Sequence, residues 1–170
     1  MPRILVTGAN GAGKTHFAAA LAARLPGLAP VSFDALKLLT RWRQRPRHET
    51  EAALADLVAT EHWIIDGGPS MLPLALPRAT AVVWLDPPTA VRAARLAWRP
   101  WRWRGRTRPE LPTGNFDSLW RQYRFGLASL RRSSAFRAEI GGALGGDHAA
   151  RVFRVRTRAD RAAALASLTR

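Results

Sequence analysis

Between Thr7 and His16 the chain reads Gly8-Ala9-Asn10-Gly11-Ala12-Gly13-Lys14-Thr15, an instance of G-x-x-x-x-G-K-[ST]. Each fixed position of that pattern has a mechanical reason. Glycines let the backbone turn at positive φ and present successive N–H groups to one phosphate. A lysine reaches the β- and γ-phosphates as a point charge, and the hydroxyl after it is a Mg²⁺ ligand. Gly8, Asn10, Gly11, Ala12, Gly13, Lys14, Thr15 and His16 are therefore the candidates for holding a nucleoside triphosphate. Lys14 is also a candidate catalytic residue, and Thr15 a candidate metal ligand.

Phosphoryl transfer needs a further carboxylate on the metal side, at the tip of a neighbouring strand. Asp66 follows His62-Trp63-Ile64-Ile65 and precedes Gly67-Gly68; Asp86 follows Ala81-Val82-Val83-Trp84-Leu85 and precedes Pro87-Pro88. The two glycines leave a ligand room to approach Asp66, which makes it the metal candidate. Asp86 suits equally well the cap of the helix that follows the two prolines. Asp34, after Ser32-Phe33, ends another predicted strand, where a carboxylate faces an acceptor and orients its hydroxyl or takes its proton. It also suits an N-cap for a helix over 35–40. His16, His48, His62 and His148 show no metal-ligand spacing. Trp120, Tyr123 and Phe125 recur at helical spacing, which predicts a core face.

Seven arginines fall within residues 92–108, interleaved with Trp98, Trp101 and Trp103. Like charge at this density repels itself unless an anion neutralises it. A polyphosphate under a closing flap is one such anion, and a nucleic acid is the other. The plainer alternative is a solvated basic loop whose tryptophans anchor it to the core.

The elements that must position these groups follow from apolar runs between breakers. Strands are predicted at 3–7, about 30–33, 62–66, 80–85 and 151–155, and helices at about 14–25, 48–61, 88–98, 116–139 and 158–168. Strands alternating with helices imply an α/β fold, a parallel sheet with helices on both faces. Residues 34–47 and 99–115 stand out as insertions.

Composition narrows the class. A chain of 170 residues with 47% hydrophobic and 23% charged residues is globular in type and long enough to bury a core. The net charge is +15, of which residues 1–85 carry +3 and residues 86–170 carry +12. Such a surplus favours an acidic partner, the phosphates of a small ligand or a nucleic acid. Cysteine is absent, which excludes disulfides and thiolate zinc sites and fits a reducing cytoplasm. The longest stretch without a charged residue, Gly67 to Pro77, is broken by three prolines. No membrane span and no signal peptide are expected, and no membrane partner.

The chain resembles the adenylate-kinase-related P-loop family whose members are labelled DNA topology modulation proteins. The markers are the 8–15 loop, Phe33-Asp34-Ala35-Leu36, Trp63-Ile64-Ile65-Asp66-Gly67, Val83-Trp84-Leu85-Asp86-Pro87 and, most specific, Arg104-Gly105-Arg106-Thr107-Arg108-Pro109. The resemblance spans nearly the whole length. It implies a three-layer P-loop nucleoside-triphosphate hydrolase fold with a five-stranded parallel sheet, in one domain over 1–170. It further implies an acceptor-side insertion at about 34–60 and an arginine-rich lid at about 95–115. ATP with Mg²⁺ would sit at the loop and a small-molecule acceptor beside Asp34. Arg95 would contact ATP, and Arg104, Arg106 and Arg108 would close over it. Gly68-Pro69-Ser70 and Lys37-Leu38-Leu39 depart from the family pattern, both on the acceptor side. The function expected is ATP-dependent phosphoryl transfer to a nucleoside or nucleotide-like molecule. The alternatives are a nucleic-acid-binding regulator switched by ATP and a nucleotide sensor without transfer.

Overall fold

The computed structural model describes residues 2–104, 111–115 and 118–169. Five strands, β1 (Arg3–Gly8), β2 (Pro30–Ser32), β3 (Trp63–Gly67), β4 (Ala81–Leu85) and β5 (Arg151–Val155), form one parallel sheet in the order β2-β3-β1-β4-β5. The helices are α1 (Lys14–Ala22), α2 (Phe33–Lys37), α3 (Arg47–Ala59), α4 (Leu72–Ala75), α5 (Thr89–Arg102), α6 (Leu119–Arg131), α7 (Ser133–Leu144) and α8 (Arg158–Leu168).

Both faces of the sheet are covered at its centre, which is why β1, β3 and β4 read as largely apolar runs, while the edge strands β2 and β5 are more exposed. Ile4, Val6, Ile64 and Val83 pack on Phe17 and Leu21 of α1 and Leu165 of α8. Their alternates Leu5, Ile65 and Val82 pack on Leu54 and Val58 of α3, Leu72 of α4 and Ile140 of α7. Three layers result, as the sequence predicts. Each such fully buried aliphatic side chain contributes about 1.5–3 kcal/mol. From β1 the chain crosses first to the β2–β3 side and later to β4 and β5. The C-terminal end of β1 is therefore the switch point, where open parallel sheets hold ligands.

Several predicted elements are redrawn. The helix expected over 116–139 is two helices that meet at Arg132, and the second runs on to Leu144. No glycine or proline marks that joint. The helix expected to stop at 98 runs through Pro100 to Arg102, with Pro100 buried. Residues 69–78, for which the sequence predicts no element, form three short helical turns, each with a proline in its opening positions where a missing N–H does no harm. Trp120, Tyr123 and Phe125, expected in the core, are exposed instead. At α8 the end is sharply specified: Thr157 and Asp160 form a capping box. Among the described residues no helix is long and apolar enough to cross a membrane.

Candidate active site

The loop between β1 and α1 needs glycine for space as well as for backbone angle. Gly8 lies at φ 148°, and a Cβ there would sit 2.4 Å from the Leu85 carbonyl oxygen of β4. Gly11 lies at φ 79°, and a Cβ would come within 2.9 Å of Leu96 Cγ. The loop is thus wedged between β4 and α5, and no other residue type fits at either point. Lys14 opens α1 and folds back along the loop, its ammonium donating to the Gly8 and Ala9 carbonyls at 2.9 and 3.4 Å. Burial pushes its pKa down, while the charges of Asp34 and Asp66 oppose that shift. His16 is exposed, and only its carbonyl is engaged, by Arg161.

Asp66 is buried near the end of β3, in register with Val6 of β1 and Ser32 of β2. The Thr15 hydroxyl donates to its Oδ2 at 3.0 Å. Two hard oxygen donors from separate elements therefore meet beside the loop, as a Mg²⁺ shell shared with substrate phosphates requires. Among the described residues no group of three or more His, Cys, Asp or Glu is placed to hold a metal ion by itself. Of the two glycines after Asp66, Gly67 serves packing: a Cβ there would meet Phe33 at 2.7 Å and Met71 Sδ at 2.8 Å. Gly68 alone faces open space.

Three arginines of α5 close the back of the loop. Arg92 is 2% exposed. Its Nε donates to the Asn10 carbonyl at 3.0 Å, and its Nη1 and Nη2 reach the Ser133 and Ser129 hydroxyls at 2.9 and 3.5 Å. One turn on, Arg95 donates to the Gly11 and Ala12 carbonyls at 3.3 and 2.8 Å. Two guanidinium groups thus hold three consecutive carbonyls of the loop. Another turn on, Arg99 donates to Gln122 of α6 at 2.9 Å, close enough for its charge to act on Lys14. Arg104 is exposed at the end of this segment; Arg106 and Arg108 lie outside the described residues.

On the acceptor side, Ser32 takes the cap position of α2, so Asp34 sits in the helix's first turn and is exposed. Its charge acts on both Lys14 and Lys37. Lys37 donates to the Ser70 hydroxyl at 2.8 Å and lies 4.3 Å from the centre of the Phe33 ring. Burial pushes its pKa down, against the pull of Asp34. Beyond α2 the chain makes a tight hairpin in which Leu38 bridges Gln44, with Arg41 and Trp42 both at φ 57°. Two successive non-glycine residues in the left-handed region are strained and need outside support. Asn115, 0% exposed, supplies it: its side chain accepts from the Trp42 N–H and donates to the Leu39 and Pro112 carbonyls at 3.0 and 2.9 Å. Arg121 of α6 lies over the Trp42 ring at 5.6 Å.

Asp86 neither caps a helix nor faces the loop. The cap of α5 is Pro88, with no side-chain bond. Asp86 instead receives Arg137 of α7 at 2.7 Å and Arg154 of β5 at 2.6 Å, and Arg154 also covers the Trp84 ring at 4.3 Å. Burial acts to raise its pKa, but the two guanidinium hydrogen bonds outweigh it and hold the carboxyl below the usual range.

Sequence reasoning overlooked Lys37, Asn115 and the inward role of Arg92. Lys37 carries a signal in hindsight, since it and Lys14 are the only lysines in a chain with 25 arginines. The spacing Arg92, Arg95, Arg99 places three arginines along one helical flank. Asn115 has no signal, because its three partners come from segments far apart in the chain.

Sheet order, glycine loop and strand-tip carboxylate together define the three-layer P-loop NTPase fold of the kinase-like kind. Among solved structures the chain is similar to a sugar kinase from Janibacter sp. HTCC2649, with 19% identity, 98% of this chain and 93% of that one covered, and a TM-score of 0.54. It is similar to a gluconokinase from Sinorhizobium meliloti 1021, with 19% identity, 99% and 93% covered, and a TM-score of 0.54. It is also similar to a shikimate kinase from Acinetobacter baumannii in complex with shikimate, with 20% identity, 99% and 91% covered, and a TM-score of 0.57. At these identities the likeness is one of fold. No family model and no curated protein matches the sequence.

Proposed function

We propose that the chain is an ATP-dependent phosphotransferase of adenylate-kinase type, one cytoplasmic P-loop domain that acts on a small nucleoside or nucleotide-like acceptor. The observation that carries this reading is the Thr15–Asp66 hydrogen bond of 3.0 Å beside the Lys14 ammonium. It joins a hydroxyl, a buried carboxylate and a cation at the switch point of the sheet.

In this reading the N–H groups of residues 11–15 hold the β-phosphate, since the carbonyls of the same stretch are tied back by Arg92 and Arg95. Lys14 exchanges its two carbonyl partners for phosphate oxygens, whose negative charge favours the ammonium that burial disfavours. Thr15 and Asp66 would hold Mg²⁺, which would supply charge neutralisation on the phosphates. Arg99 and Arg104 would neutralise charge that develops on the transferring group, and Arg95 would contact the nucleotide. Asp34 orients the acceptor hydroxyl from the opposite side. Catalysis on this plan is positioning plus electrostatics.

The sensor alternative shares this ATP site and differs only in lacking a phosphorylated product. The regulator alternative loses part of its support: Arg92 is buried against the loop, and Arg95 and Arg99 are engaged with the loop and Gln122. The decisive assay is ADP release with Mg-ATP over a panel of nucleosides, nucleotides and small alcohols. Wild type should release ADP with at least one acceptor and phosphorylate it. Lys14→Ala should lose about 10³-fold or more of that turnover while remaining folded by circular dichroism. Unchanged turnover in the variant overturns the enzyme reading, and ATP binding without product favours the sensor.

A further inference from the structure

Helices α5 and α6 bury polar side chains where an ordinary surface helix buries apolar ones. The inner side of α5 buries Arg92 beside Leu96 and Pro100. Outward it carries Val91, Ala94, Trp98 and Trp101, with exposed Arg102 one turn beyond Trp98, and Trp98 is 69% exposed. On α6 the inner side carries Gln122, Gly126 and Ser129. Its outward stripe alternates Trp120, 72% exposed, and Leu127 with Arg124 and Arg131. Between the two helices runs a shallow apolar groove of about 150 Å³ that includes Ala93, Ala97, Tyr123 and Leu127. A joined apolar surface of this kind on a water-soluble fold marks a place of docking.

We propose that the outward face of α5 and α6 docks on an anionic lipid surface. Charge selects the occupant. Among the described residues the exposed charges on this face, Arg102, Arg124 and Arg131, are all cationic. A second copy packed through the same face would set arginine against arginine. A single-stranded nucleic acid needs aromatic faces with cations beside them. The outward faces of α5 and α6 also offer aliphatic Val91, Ala94 and Leu127, which present no π-face for a base to stack on. A bilayer interface takes both kinds of residue at once. Tryptophan and aliphatic side chains enter the headgroup–acyl boundary, and arginines reach lipid phosphates from their flanks. The lack of a spanning helix bears only on crossing a membrane and leaves its surface open as a partner.

Flotation of the intact chain with vesicles tests this. One set is phosphatidylcholine alone; the other contains about 30% phosphatidylglycerol. The protein should float only with the anionic vesicles, with a blue shift of tryptophan emission, and should release as salt rises from about 0.1 M to about 0.5 M. The pair Trp98→Ser with Leu127→Ser, and separately Arg124→Gln with Arg131→Gln, should each weaken binding about tenfold or more while leaving ATP turnover as in wild type. Several results overturn the proposal: no flotation, equal flotation with neutral lipid, or variants that bind as wild type does. Capture of a single-stranded oligonucleotide in place of vesicles, or a dimer by light scattering that Trp98→Ser with Leu127→Ser dissolves, overturns it in favour of another occupant.

Discussion

Arg92 separates what stabilises this molecule from what arms it. A buried guanidinium without a carboxylate loses hydration and recovers only part of it from neutral acceptors. Among the described residues no carboxylate pairs with it, and its partners are one carbonyl and two hydroxyls. The Ser133 hydroxyl already has another bond, donating to the Leu130 carbonyl at 2.6 Å, so removal of Arg92 leaves little unsatisfied. Arg92→Met should therefore change unfolding free energy by only about 1–2 kcal/mol. The loop is another matter. With the Asn10 carbonyl released, its peptide planes are free to rotate, and the N–H groups no longer converge on one point. The Michaelis constant for ATP should rise about tenfold, the loss of one charge-assisted hydrogen bond. Arg92→Lys should restore part of the affinity, since an ammonium still reaches Asn10 but not both serines. Steady-state kinetics beside thermal unfolding distinguishes this from a purely structural role, in which affinity and stability fall together.

Among the elements, the hairpin after α2 is held by what it touches and not by its own residues. Arg41 and Trp42 in the left-handed region cost about 1–3 kcal/mol each. Asn115 and Arg121 hold them there from across the crevice. Asn115→Leu keeps the branching of the side chain and removes three hydrogen bonds. The amides of residues 39–43 should then exchange with deuterium about tenfold or more faster, while β1 and β3 keep their protection. Uniform deprotection of the whole chain would show instead that Asn115 supports the global fold. The same contrast explains what the sequence disclosed. The central strands β1, β3 and β4 were legible because each is a largely apolar run ended by a breaker, as parallel strands covered on both faces must be. The Gly8–Thr15 loop and Asp66 were legible because their spacing carries the mechanics. The joint at Arg132, the hairpin angles and the outward tryptophans were not. Each depends on partners distant in sequence: Arg92 against Ser133, Asn115 against Trp42, and buried Gln122 and Ser129 turning α6 so that Trp120 faces out.

For the molecule as a whole, a net charge of +15 sets the background against which every ion pair acts. Self-repulsion grows as carboxylates protonate, so acid should weaken the fold generally. Asp86 adds a specific share, because it binds α7 and β5 to the tip of β4 through Arg137 and Arg154. Its folded-state pKa lies below the unfolded value of about 3.9. Its contribution is therefore present above that value and is lost as pH falls through the lower folded one. Asp86→Asn should cost about 1–3 kcal/mol at neutral pH, where the arginines lose their charged partner. In acid, protonated Asp86 resembles asparagine, so the unfolding midpoints of wild type and variant should converge as pH falls below the unfolded value of about 3.9 and through the lower folded one. The general repulsion acts equally on both proteins and drops out of that difference. Thermal unfolding of the pair from about pH 7 to about pH 2.5 reads it directly. A gap that stays constant over this range would mean that Asp86 supports the fold through shape alone. Added salt should raise both midpoints in acid by screening the repulsion, and should narrow the neutral-pH gap only slightly, because Asp86 itself is buried.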